Sequence, residues 1–411
     1  MTRPSGDGPT GPLSGVLPAR RLALAVLSMS VGAFAIGVTE FATMGLLPEM
    51  AATFDAPLYQ ASHLIAAYAV GVVVGAPVIM LALPRQPRTR LLTALAGALA
   101  LGNAFSALAP TMGTELVARV MSGIPHGAYF GLTAVVAAAI SPPQRRARSV
   151  SLVMVGLTVA TMVGVPLSTA LGQQLGWRAM YGLVTVIALA SMVAIWRWVP
   201  PVPARPGAST RRELTALASP QVWLAVGVGG IGFGGMFALY SFIAPVSEVA
   251  GVSPAHLPLV LALFGAGMTV GTVLGGRLAD RSVLGTIAVG MGAMAVTLAA
   301  FGAWARQPAT LLVLAVLVGI ASGPIGPGLQ IRLIDAARQG PSLGAALHHS
   351  AMNTGNAVGA WVGGAVVAAG LGYHAPAWAG VGLALAGLAI TGVAAAAERR
   401  TVRRLAPVDG G

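Results

Sequence analysis

Apolar residues run through this chain in long blocks, and polar residues gather in the short connections between them. A helix needs roughly 20 apolar residues to cross a bilayer. Twelve stretches reach that length: about 22–48, 60–83, 89–110, 114–140, 148–171, 177–199, 220–245, 256–279, 283–304, 308–333, 341–369 and 374–396. Hydrocarbon offers no water to open backbone groups, so each stretch is predicted to be helical. The expected fold is an all-α membrane protein of twelve transmembrane helices in two six-helix repeats. Its predicted parts are a disordered tail at 1–21, a first half at 22–199, a linker at 200–219, a second half at 220–396 and a second tail at 397–411. The linker holds Pro200, Pro201, Pro203 and Pro206 among arginines, which suits a connection rather than a helix.

The halves share a register. Gly71, Gly75, Gly123 and Gly127 return as Gly267, Gly271, Gly319 and Gly323, each 196 positions later. Leu175, Gly176 and Trp177 return as Leu371, Gly372 and Tyr373 at the same offset. Two halves repeated in the same direction, each with an even number of spans, is one plan of secondary transporters. The Gly-x-x-x-Gly spacing places small residues on one helix face, where backbones approach closely. Static packing and a smooth face for rocking helices both fit that spacing.

Composition agrees with a lipid setting. The chain is 56% hydrophobic and 9% charged, with mean hydropathy +0.82, against about 25% charged residues in soluble domains. The absence of cysteine excludes disulfides, thiolate metal sites and thiol nucleophiles. The first stretch is too long for a signal-peptide core and carries Glu40, so it reads as a retained helix.

The net charge of +13 raises the question of nucleic acid. All 24 basic residues are arginine, and only Arg119, Arg178 and Arg306 lie away from the tails, the linker and the even-numbered connections. That is the positive-inside pattern, which predicts both termini in the cytoplasm and basic surfaces meeting anionic lipid, with no nucleic-acid partner. Walker, His-Glu-x-x-His and Gly-x-Ser-x-Gly motifs are missing, so neither ATP-driven transport nor an enzyme is expected.

Three segments carry a family resemblance: FAIGVTEFATMGLLPEM at Phe34–Met50, ISPPQRRARS in the fourth connection and AMNTGNAVGAWVGG in the eleventh stretch. With them the chain resembles the major facilitator superfamily, and within it the drug:proton antiporter and arabinose-efflux-permease-like group, from about Leu22 to Ala396. The family's fourth-span pattern matches Arg119, Gly123 and Gly127, and its fifth-span exporter pattern matches Gly156, Gly164 and Pro166, without the later glycine pair. Its cytoplasmic gate pattern matches Gly276, Leu278, Ala279, Asp280 and Arg281; the first-half equivalent, LALPRQPRTR, lacks the aspartate. The resemblance implies a bacterial cytoplasmic-membrane transporter that works as a monomer, moves small molecules and draws on the proton gradient without a cofactor.

Glu40 is the leading candidate for chemistry, because a carboxylate in hydrocarbon is costly unless paired, hydrated or protonated. With Pro48 ending the first helix, Glu40 lies about 12 Å below it, and Arg119 lies about 8 Å into the fourth span, by the helical rise. The resemblance implies that both spans line the central cavity, so an ion pair is expected. Burial favours the neutral acid and a nearby arginine favours the carboxylate, so the balance can change as the cavity opens to each side. A static brace is the alternative. His126 fits a proton relay, or a packing hydrogen bond beside Pro125. His348 and His349 are expected near the cytoplasmic start of the eleventh span on different faces, and His63, His256 and His374 at outer helix ends.

Asp335 is expected to pair with Arg332 and Arg338, and Asp280 with Arg277 and Arg281, as gates or braces. Asn353 and Asn356 fall mid-helix, where buried amides need partners; interhelical bonding and a place in the cavity are both open. Phe233, Phe237 and Tyr240 share one face of the seventh span, as a wall for lipophilic cargo or as packing. The expected function is proton-coupled export of small, fairly apolar molecules such as an antibiotic. Sugar or nucleoside efflux is the alternative in the same fold, and a non-transporting membrane sensor the alternative of another class.

Overall fold

A computed structural model describes residues 17–83, 85–204, 213–337 and 341–405. Residues 1–16 of the tail predicted at 1–21, together with Arg205, Pro206, Arg211, Arg212 and Arg338, lie outside the described residues. Eleven helices among the described residues are long and apolar enough to cross a membrane. They are α1 (Ala19–Gly45), α2 (Leu58–Ala82), α3 (Arg88–Leu108), α4 (Met112–Ala139), α5 (Pro143–Leu175), α6 (Trp177–Trp198), α7 (Pro220–Tyr240), α8 (Pro254–Ala279), α9 (Val283–Trp304), α10 (Pro308–Ala336) and α12 (Ala375–Arg400). Between the last two runs a further 28-residue helix, α11 (Pro341–Ala368). Its two histidines and two asparagines break up its apolar run, which separates it from the other eleven.

Helix ends follow local chemistry. α1 starts at Ala19, three residues before the apolar run, because Arg20 and Arg21 are good helix formers and the Leu22 N–H donates to the Pro18 carbonyl at 2.9 Å. Pro48 does not end α1. The helix stops at Gly45, and Pro48 sits in the first turn of a new short helix, Leu47–Thr53, where its missing N–H costs no hydrogen bond. α4 opens with a capping box: Thr111 and Thr114 each bond the other's backbone N–H.

Two π-helical turns interrupt the bundle. In α5 the turn spans Ala160–Gly164, just before Pro166. Proline has no N–H to offer the preceding turn and its ring crowds that turn's carbonyl, so the wider turn relieves the conflict. In α7 the turn spans Val228–Gly232, within a glycine-rich run.

Glycine sets the closest crossings, and the contacts recur at the same offset as the sequence. A side chain at Gly71 would strike Val120, and one at Gly267 would strike Val316. Gly75 meets Ile124 and Gly271 meets Ile320; Gly123 lies on the Tyr68 carbonyl and Gly319 on the Phe264 carbonyl. Every one of these contacts is to backbone, so the α2–α4 and α8–α10 crossings are fixed by the absence of a Cβ.

The first six and last six long helices meet along α2 with α11 and along α5 with α8. Gly265 abuts the Thr161 carbonyl, the Ser350 hydroxyl donates to the Val73 carbonyl at 3.1 Å, and Gln173 donates to the Pro254 carbonyl at 3.1 Å. The deep centre between them is filled by side chains from α1, α2, α4, α7 and α11.

Candidate functional site: a polar cluster beside an aromatic wall

Glu40 is buried in α1 with 6% of its surface exposed. Its Oε2 lies 3.9 Å from Nδ1 of His126 on α4. The same nitrogen is 2.9 Å from the Tyr68 hydroxyl of α2. The imidazole therefore stands between a phenol and a carboxyl group, with its Nδ1 hydrogen-bonded to Tyr68 and the Glu40 oxygen just beyond hydrogen-bond distance. Asn356 of α11 lies beside Glu40, and neither of its amide heteroatoms has a hydrogen-bond partner.

Arg119 is among the largest fully buried side chains. Its Nη1 donates to Thr39 at 3.1 Å, its Nε donates to the Leu64 carbonyl at 3.4 Å, and Nη2 has no partner. The guanidinium lies over the Tyr68 ring at 4.4 Å and faces the Tyr181 ring at 5.6 Å. Thr39 in turn donates to Asn103 Oδ1 at 2.6 Å.

The expected Glu40–Arg119 ion pair is absent within 4.0 Å. Helix geometry explains it. Successive residues turn by about 100°, so Thr39 faces Arg119 while Glu40 faces His126 and α11. The tyrosine stack, Thr39 and the Leu64 carbonyl hold the guanidinium to one side.

Glu115 was not anticipated from the sequence. It is fully buried one turn before Arg119, and neither of its carboxyl oxygens has a hydrogen-bond partner. Ser106, Tyr181, Arg119 and Arg178 surround it. The spacing was legible, since residues four apart share a helix face. Its place at the very edge of the predicted stretch disguised it as an interfacial charge.

α11 also brings more to the cluster than expected. His349 stacks on Phe130 at 4.9 Å and lies 5.3 Å from the His126 ring, with His348 5.0 Å further along. The pair sits about 10 Å into α11 by the helical rise, rather than at its mouth. Gly127 makes room for this approach, since a Cβ there would sit 3.0 Å from that of His349. Asn353 bonds back to the His349 carbonyl at 3.2 Å, so neither asparagine makes an interhelical hydrogen bond. Among the described residues no group of three or more histidine and acidic side chains is placed to hold a metal ion.

The aromatic face of α7 meets α1 next to Glu40. Phe237 stacks on Phe41 at 6.1 Å, and Tyr240 meets the same ring edge-on at 5.8 Å. Phe233 packs on Phe237 at 5.5 Å, and Tyr240 lies 4.4 Å from Phe264 of α8. Phe41 and Phe264, unnoticed in the sequence, complete this wall.

Among the described residues the expected gate pairs do not form, and the Asp335–Arg338 pair lies outside them. Asp280, beside exposed Gly276 at the end of α8, forms no ion pair with Arg277 or Arg281 among the described residues, and Asp335 forms none with Arg332. Arg332 instead bonds Gln221 at 2.8 Å and Glu398 at 3.1 Å, tying α10 to α7 and α12. It points into the bundle while Asp335 points out. In α5, Gly156 rests on the Ser30 carbonyl and Gly164 against the Phe34 ring, with Pro166 buried behind it.

Eleven membrane-length apolar helices surround this buried polar cluster. The family model of the Major Facilitator Superfamily matches residues 29–337 and, overlapping, 233–410. The chain belongs to the major facilitator superfamily and is a multi-pass membrane transporter, not an enzyme. It is 39% identical to the inner membrane transport protein YdhP of Escherichia coli K12 over 349 residues, covering 85% of this chain and 90% of that one. It is 34% identical to the putative transporter AraJ of the same organism, covering 85% and 89%. A chloramphenicol resistance protein of Streptomyces lividans is 30% identical, covering 85% and 91%. Among solved structures, the human organic anion transporter MFSD10 shares the fold with a TM-score of 0.65 at 15% identity, covering 93% of this chain and 100% of that one.

Proposed function

We propose that this chain exports small, fairly apolar compounds, antibiotics among them, in exchange for protons across a bacterial inner membrane. α11 is taken as a twelfth span, and the helices divide into two six-helix repeats with both termini in the cytoplasm. The linker between them is residues 200–219. The relatives named above support transport as the general activity, the chloramphenicol resistance protein among them supports export of an antibiotic, and the recurring glycine contacts support the repeat. The observation that carries the proton reading is the buried Glu40 carboxyl 3.9 Å from a histidine that is itself bonded to Tyr68.

In this reading Glu40 takes a proton when the cavity faces outward and gives it up when the cavity faces inward. His126 passes the proton along, and Tyr68 orients the ring. Arg119 stabilises the ionised carboxyl group as the helices rock, without contacting it at rest. Cargo binds on Phe41, Phe233, Phe237 and Tyr240, with Asn353 and Asn356 offering the polar contacts. Because Phe41 adjoins Glu40 in α1, cargo on the wall and a proton on the carboxyl group compete for one small region. Gly123, Gly127, Gly156, Gly164 and Pro166 allow the crossings to shift, and the α8 end at Gly276, Asp280 and Arg281, with Asp335 on α10, meets the cytoplasm.

The test is proton movement in everted membrane vesicles. The lumen is acidified, and a panel of antibiotics and sugars is added while a pH-sensitive dye is followed. Proton release triggered by apolar antibiotics is the expected result. Release triggered by sugars alone would transfer the reading to sugar efflux, and silence from correctly inserted protein would remove antiport.

A further inference from the structure

A second candidate site lies on the outside of the bundle, between the first part of α1 and the first part of α5. The groove has a volume of about 380 Å³, within the range of small-molecule sites. Ala19, Leu22, Ala23, Val26, Leu27 and Ser30 line one side. Their spacing of three and four residues makes them a single helix face. Arg145, Arg148, Ser149, Leu152 and Val155 line the other.

The groove is graded along its length. At its deep end the helices touch, where Gly156 rests on the Ser30 carbonyl. From there the groove runs between the two helices toward Ala19 and Arg145. Ala19 to Ser30 spans about 16 Å by the helical rise, close to the depth of one leaflet of a roughly 30 Å hydrocarbon core. The walls are apolar over that depth, and Leu27, Leu152 and Val155 remain well exposed. Both arginines stand at the mouth. They are exposed, and neither guanidinium has a hydrogen-bond or ion-pair partner among the described residues. The adjacent serine is occupied, since Ser149 accepts from Ser141 at 2.8 Å.

We propose that this groove binds one anionic phospholipid, with an acyl chain lying along α1 and α5 and the phosphate held by Arg145 and Arg148. The charge selects the occupant: an apolar slot one leaflet deep with two free guanidinium groups at its rim complements a lipid with a negative headgroup. Basic pockets between membrane helices recognise such headgroups, and the planar fork of arginine matches phosphate oxygens. The lipid would touch α5 next to its crossing with α1, the helix that carries Glu40. The proposal rests on the membrane setting of the chain and requires neither cargo nor proton coupling, so its failure and the failure of the transport reading are separable.

The experiment is native mass spectrometry of the full-length protein in mild detergent, titrated with phosphatidylglycerol or with phosphatidylcholine of identical chains. Phosphatidylglycerol is expected to leave a retained one-lipid adduct that phosphatidylcholine does not. In the double variant Arg145→Ala, Arg148→Ala that adduct falls by about tenfold or more, whereas Arg90→Ala, which removes an exposed arginine outside the groove, retains it. A photo-crosslinker placed at Ala23 is expected to capture phosphatidylglycerol. Equal retention of both lipids, an unchanged adduct in the double variant, or crosslinking of Ala23 to residues 1–16 of the chain itself would overturn the proposal.

Discussion

The first six helices and the last six use the same crossings but carry different chemistry. At an offset of 196 the glycine contacts of the α2–α4 crossing recur at the α8–α10 crossing, whereas the reactive residues do not. Glu40 corresponds to Met236, Tyr68 to Phe264, Glu115 to Leu311, Arg119 to Ala315 and His126 to Ser322. Thus the Glu40 and Glu115 carboxyl groups, the Arg119 guanidinium and the His126 imidazole lie in α1 and α4, their counterparts in α7 and α10 hold no charge, and the second set adds only the His348 and His349 rings of α11 to those groups. The second set supplies aromatic surface and the α11 amides. Close packing is a property of the backbone and tolerates repetition; a buried charge needs its own partners and is placed once. The contrast suits a carrier in which one side handles protons and the other handles apolar cargo.

The largest effect that bears on this contrast is expected from Glu40→Gln. Proton-coupled transport should fall to background in vesicles while detergent-solubilised protein elutes normally. Met236→Gln, at the matching position, should leave coupling standing. If both variants lost coupling alike, the division of labour would be wrong.

Next come the shared crossings. Gly123→Leu and Gly319→Leu each drive a side chain into facing backbone and should each destabilise by about 1–3 kcal/mol or more, read as matched losses in thermal stability. A loss confined to one of them would break the structural equivalence. A smaller effect is expected from Phe237→Leu, which keeps apolar volume but removes the stacking on Phe41. Apparent affinity for aromatic cargo should fall by about threefold to tenfold, with proton release per transported molecule unchanged. The smallest is Glu398→Gln. Its bridge to Arg332 is half exposed on the glutamate side, so the cost should stay within about 1 kcal/mol in thermal unfolding.

Much of the helical plan was legible because lipid forces long apolar runs into helices. The departures occur where the residue pattern is ambiguous. Pro48 reads as a stop from sequence, yet proline fits the first turn of a helix equally well. α11 is less apolar than its neighbours because its polar residues turn toward the centre. The family and the two charged centres Glu40 and Arg119 were readable, since ionisable residues stand out against hydrocarbon. Their partnership was not. A one-residue step around α1 directs Thr39 rather than Glu40 to the guanidinium, and hydropathy does not encode that rotation. Glu115 escaped notice because a charge near a predicted helix end looks interfacial, while the capping box at Thr111 starts α4 early enough to bury it. The approach of His349 to His126 depends on contact between α4 and α11, more than two hundred residues apart in the chain.

The most direct test of the central claim is substrate-triggered proton release in everted vesicles bearing wild type, Glu40→Gln or Glu115→Gln at matched insertion. The expected result is release from wild type, none from Glu40→Gln, and reduced but measurable release from Glu115→Gln, whose carboxyl group faces Arg119 from the side away from His126. Undiminished release from Glu40→Gln would contradict the assignment of the proton site to the cluster of α1 and α4.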